Sequence, residues 1–103
     1  MGLVTPLASG VAATWDRLLA ADSGAGSIQK FDASDLACRI ACEVPRGEGV
    51  GLFDADSYIS PKDQRKVDQF IIFGMAAAQQ AIEDSGWTPT EEESLIRTGL
   101  LLG

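Results

Sequence analysis

Apolar positions recur at helical spacing in two stretches of this chain and alternate in a third. Val11, Trp15, Leu18 and Leu19 stand at i, i+4, i+7 and i+8, the stripe of an amphipathic helix that Ser9 or Gly10 can start and that ends before the glycine-containing loop at 23–27. Ahead of it, Thr5-Pro6 reads as an extended or turn dipeptide. Phe31 to Ser34 reads as a turn. Leu36, Cys38, Ile40, Cys42 and Val44 then share one alternating face, which predicts a strand over 36–44. Segment 45–57, with Gly47, Gly49 and Gly51, is predicted to be a surface loop.

The longest periodic stretch predicts one helix from about Pro61 to Ser85. Ser60 can cap it, Pro61 suits the first helical position, Asp63 sets a negative charge beside the N-terminal dipole, and Gly86 can close the helix in the left-handed conformation. Val67, Phe70, Ile71, Gly74, Ala78, Ala81 and Ile82 form one stripe, expected to face the core, with Lys62, Arg65 and Lys66 in the arc opposite. Ile72, Phe73 and Ala76 lie on the far side and make the middle of the helix apolar nearly all round, the pattern of a helix buried on every side. Beyond it, Glu91, Glu92 and Glu93 read as a solvated acidic connection. Segment 97–102, with Leu100, Leu101 and Leu102 in sequence, reads as a strand buried on both faces of a parallel sheet. Strands at about 36–44 and 97–102 need further neighbours, so the expected architecture is an α/β body cut at both ends.

Composition narrows the function classes. With 46% hydrophobic and 22% charged residues over 103 positions, the chain is ordinary for a soluble folded protein. A formal net charge of −7 disfavours general nucleic-acid binding, and no basic patch is interleaved with aromatics. No run approaches a membrane span and no signal peptide is evident, so the expected setting is the cytoplasm with no membrane partner. Histidine is absent, which removes the commonest general base and the commonest metal ligand. Cys38 and Cys42, if on a strand, have Cα atoms ~13 Å apart, beyond disulfide reach. Two lone thiols also make a poor metal site, and the C-x3-C spacing does not match a redox motif. Both cysteines are expected to be buried, reduced and inert. No cofactor, metal or catalytic residue is assigned.

Against the acidic background, three of the eight basic residues, Lys62, Arg65 and Lys66, fall within five positions. Charge runs usually reflect solvation. Cations at a helix start, however, oppose the dipole and cost roughly a few tenths of a kcal/mol each, which points to a use beyond local stability. A docking surface for an anionic partner fits that use.

Four blocks in order carry a family resemblance: MGLVTPLASGVAATWDRLLA at 1–20, SGAGSIQKFDAS at 23–34, ISPKDQRKVDQFIIFGMAAAQQAIEDSGW at 59–87 and RTGLLLG at 97–103. Together they resemble the amino-terminal part of the bacterial β-ketoacyl-acyl carrier protein synthase II family, the condensing enzymes of fatty acid synthesis. Ala8 stands where the family usually has glycine. The resemblance implies a thiolase-type layered α/β fold and a homodimer. It also implies a two-stage reaction: a cysteine thiolate accepts an acyl group, then malonyl-carrier protein loses carbon dioxide and its carbanion attacks the acyl-enzyme. The family's nucleophile and its two histidines come after this region, so the implied catalytic apparatus lies outside it. The implied role of Lys62, Arg65 and Lys66 is contact with the acidic acyl carrier protein. Two other readings stay open, a polyketide-type ketosynthase-like subunit and a non-enzymatic acidic helical module that binds an anionic protein.

Overall fold

Three helices and a short hairpin position the basic segment, and a fourth helix follows them. In the computed structural model, which describes residues 1–99, the order is α1 (Val11–Leu19), β1 (Ala25–Ser27), β2 (Ile40–Cys42), a 3-10 turn (Ala55–Ser57), α2 (Pro61–Gln64), α3 (Gln69–Ser85) and α4 (Glu92–Ile96). β1 and β2 pair antiparallel, with Ala25 opposite Cys42, Gly26 opposite Ala41 and Ser27 opposite Ile40.

α1 starts as expected, directly after Gly10. Its orientation is the reverse of the expectation. Thr14 is the buried residue, while Val11, Trp15, Leu18 and Leu19 are all exposed. The reason is local: the Thr14 hydroxyl donates to the Gly10 carbonyl at 2.7 Å and meets the Thr5 hydroxyl at 3.3 Å. Thr5 Oγ1 in turn accepts the Ala8 amide at 3.1 Å, so a polar knot fastens the entry turn to α1. A buried hydroxyl must be satisfied, and here it is. The apolar stripe is left facing outward.

The core is small and centred on Phe53, Ile72 and Ala76, with Val4, Val44, Tyr58, Val67 and Phe73 packed around it. Phe53 stacks on Tyr58 at 5.7 Å between ring centroids and meets Phe73 edge-on at 4.9 Å, geometries that add to the burial of area. The far side of α3, with Ile72 and Ala76, is therefore the core side. Of the stripe expected to face inward, Phe70, Ile71 and Ile82 are exposed, as is Met75 between them. A radius of gyration of 16.4 Å exceeds the ~13 Å of a compact chain of this size, in keeping with so many apolar side chains left uncovered.

Three expectations about elements need correction. The helix predicted from Pro61 to Ser85 is two helices, because residues 65–68 leave the helical path and Asp68 is extended (φ −73°, ψ 156°) before α3 restarts. Its far end is as predicted, with Gly86 left-handed at φ 63°. The strand predicted over 36–44 shrinks to Ile40–Cys42, since 34–37 turn, and its partner comes from the segment expected to be a loop. Cys38 and Cys42 are both free and exposed rather than buried, because the sheet is a two-stranded hairpin whose strand residues are almost all exposed. In the strand predicted over 97–102, Arg97 instead caps the C-terminus of α4, and residues 100–103 lie outside the described residues. The acidic run is exposed as expected, with Glu92 and Glu93 in the first turn of α4, where the dipole favours them.

Candidate functional site

The basic segment is a single helical turn held at both ends. At its start, Ser60 Oγ accepts the Asp63 amide at 3.3 Å and donates to the Asp63 carboxylate at 2.8 Å, a reciprocal cap. In its middle, Gln64 Nε2 donates to the Ile59 carbonyl at 3.0 Å and to Asp56 at 2.6 Å, which pins the turn to the preceding loop. At its end, Val67 packs against the core cluster. These contacts leave Lys62, Arg65 and Lys66 exposed. Arg65, just past the end of α2, keeps right-handed backbone angles (φ −74°, ψ −12°), so positions 62, 65 and 66, at i, i+3 and i+4, share one side of the turn.

The structure changes the electrostatic argument for the cluster. Because α2 ends at Gln64, Arg65 and Lys66 follow a helix C-terminus, where cations are favoured. A dipole penalty therefore does not single these residues out. Lys66 is also partly committed: its Nζ lies 2.6 Å from Asp63 Oδ1. That ammonium, and then the Ser60 hydroxyl, holds the Asp63 carboxyl below its ordinary range. Among the described residues Lys62 and Arg65 make no ion pair, so they are the open charges of the turn.

Two further cations, Lys30 and Arg46, lie near α3 without any local sequence signal. Lys30 Nζ donates to Gln69 Oε1 at 3.3 Å, across 39 positions of sequence, and so meets the first residue of α3. The Arg46 guanidinium lies 5.9 Å from the Phe53 ring and 5.7 Å from the Phe73 ring. Both line a cleft of about 660 Å³ between the hairpin and the start of α3, together with Cys42, Glu43, Gln69 and Phe73. No group of three or more side chains able to hold a metal ion is present among the described residues.

The family profile described as "Beta-ketoacyl synthase, N-terminal domain" matches residues 1–103. The chain belongs to that family. Its fold class is accordingly that of the thiolase-type ketosynthase amino-terminal domain. This ketosynthase chain is 47% identical over 103 residues to the 3-oxoacyl-[acyl-carrier-protein] synthase 2 of Rhizobium meliloti (strain 1021), covering 99% of this chain and 24% of the relative. It is 41% identical to the synthase of the same name from Vibrio cholerae, over 100% of this chain and 23% of the relative. It is 34% identical to the mitochondrial 3-oxoacyl-[acyl-carrier-protein] synthase of Arabidopsis thaliana, over 100% of this chain and 25% of the relative. The ketosynthase chain thus spans about a quarter of the length of these relatives.

Proposed function

We propose that these residues serve as the amino-terminal portion of a 3-oxoacyl-acyl carrier protein synthase of fatty acid elongation, and that Lys62, Arg65 and Lys66 dock the acidic carrier protein. The observation that carries the docking role is three cations on one exposed side of a fastened turn in a chain of net charge −7. The names of the similar synthases supply the substrate class. Homodimerisation and action in the cytoplasm belong to the same proposal, as what membership of the family implies. In the same reading, the outward apolar faces of α1 and α3 pack against further parts of a longer synthase.

Chemistry is assigned to none of the described side chains. The surface acts before chemistry, by raising the encounter rate and fixing the orientation of a carrier whose thioester must reach a nucleophile elsewhere. The test replaces all three residues by glutamate in the protein at its natural full length. KM for carrier-bound substrates is expected to rise roughly tenfold or more, since exposed pairs contribute ~0.2–1 kcal/mol each and reversal adds repulsion. Turnover of a small acyl thioester without the carrier is expected to change little. Equal losses with both substrates would assign the segment to folding, and unchanged kinetics at low salt would make it a solvated surface.

A further inference from the structure

We infer that the cleft between the β1–β2 hairpin and the start of α3 is a continuation of the docking surface, with Lys30 as a fourth cation against the acidic face of the carrier protein. The inference rests on the docking reading above and extends it to residues far away in sequence. Gln69, which holds Lys30, follows Lys66 by three positions, so their Cα atoms are within ~11 Å and the two basic regions adjoin.

The way each cation is held decides the argument. Lys66 is tethered by a carboxylate, which fixes it and cancels much of its field. Lys30 is tethered by the neutral amide oxygen of Gln69, which fixes it and leaves its charge whole. Arg46 is placed against the faces of Phe53 and Phe73, again by uncharged partners. Both side chains are exposed, and among the described residues neither forms an ion pair. Among the described residues the one carboxylate on the cleft wall, Glu43, accepts the Gln29 backbone amide at 2.9 Å and pairs with neither cation. Two pre-positioned cations line the cleft at the start of α3, three residues beyond Lys66, and extend the basic character past one helical turn. A protein with a row of carboxylates fits it better than a single small anion, because Lys30 and Arg46 line the cleft whereas Lys62 and Arg65 stand outside it on the exposed turn.

Cys42 lines this cleft and is exposed, so it reports on occupancy. Cys38 does not line it and serves as the internal control, because trypsin cuts after Arg39 and places the two cysteines in different peptides. The protein at natural full length is alkylated with iodoacetamide at low salt, with and without saturating apo acyl carrier protein. Peptide mass spectrometry reads each site. The expected result is severalfold slower alkylation of Cys42 and little change at Cys38. Lys30→Glu is expected to weaken carrier binding about two- to fivefold, as for one exposed charge pair, and Lys30→Arg to retain it. Carrier binding with unchanged alkylation of Cys42 overturns the inference and leaves the docking turn standing. So does equal protection of Cys42 by inorganic phosphate alone at matched ionic strength, which would make the cleft a small-anion site. Carrier binding untouched by Lys30→Glu overturns it as well. Absence of any carrier binding overturns both readings.

Discussion

Asp63 holds Lys66 through a 2.6 Å contact and thereby restrains one of the three cations that the docking reading depends on. Two consequences can be measured. The Asp63 carboxyl titrates below its ordinary 3.8, chiefly because the Lys66 ammonium and secondarily because the Ser60 hydroxyl stabilise the ionised form. Folding favours that ionised form, so the contribution to stability is present above about pH 3.8 and is lost as pH falls through the lower folded-state value. Carboxyl NMR titration with Asp63→Asn as the assignment control checks the direction. The same substitution frees Lys66, and carrier affinity at low salt is expected to rise about twofold, the scale of one exposed pair. Weaker carrier binding by a variant that remains folded would show that the cap, not the charge, shapes the surface.

Gly51 ties the entry turn to the loop through its carbonyl, which accepts the Ser9 amide at 2.9 Å, and its φ of 79° lies where side chains are strained. A Cβ there would also stand 3.1 Å from the Cβ of Ala13. Gly51→Ala is expected to destabilise the protein by about 1–2 kcal/mol, more than Gly86→Ala, where the φ of 63° is similar but the space around it is open. Thermal melts of the two variants at natural full length give the order directly. A smaller loss at Gly51 than at Gly86 would remove the role given to the Ala13 contact.

The ends of helices were the most legible features of the sequence, and the faces of helices the least. Ser60, Pro61 and Gly86 mark boundaries through their own backbone chemistry, and α2 begins and α3 ends where those residues place them. The break at 65–68 carries no glycine or proline, so periodicity ran through it. On α3 both sides are apolar, and pattern cannot choose between Ile72 with Ala76 and Phe70 with Ile71. The choice is made by Phe53 and Tyr58, from a loop whose sequence shows only its glycines. On α1 a buried threonine network outweighed a clear apolar stripe. Within the candidate site, Lys62, Arg65 and Lys66 were visible because they are neighbours in sequence. Lys30 and Arg46 join them only through tertiary contacts.

The 103-residue polypeptide by itself is expected to show no condensing activity. It has no histidine to activate a thiol or to stabilise an enolate. Its two cysteines are exposed; Cys38 Sγ donates to the Ile40 carbonyl, 3.6 Å away, and a carbonyl cannot act as a general base. Incubation of the purified chain with acyl- and malonyl-carrier protein, with product read by mass spectrometry, is the check. Turnover above the enzyme-free control would mean that another group in this chain performs the chemistry.

The same polypeptide is expected to self-associate. Trp15, Leu19, Phe70 and Ile82 are each at least half exposed, at 57%, 70%, 71% and 51%, so α1 and α3 both turn apolar side chains to solvent. Burying apolar area is worth about 25 cal/mol per Å², and contiguous patches of several such residues favour contact between copies over contact with water. The buried core offers little to oppose this, since among the described residues only Phe53, Ile72 and Ala76 form its centre. Sedimentation velocity at increasing concentration is expected to show species heavier than the 10.9 kDa monomer, and a hydrophobic dye is expected to bind. The double variant Phe70→Ser with Ile82→Ser leaves the Phe53 core untouched and should shift the distribution toward monomer. A monodisperse monomer with a sharp two-state melt would show instead that α1 and α3 rearrange to cover their own apolar faces.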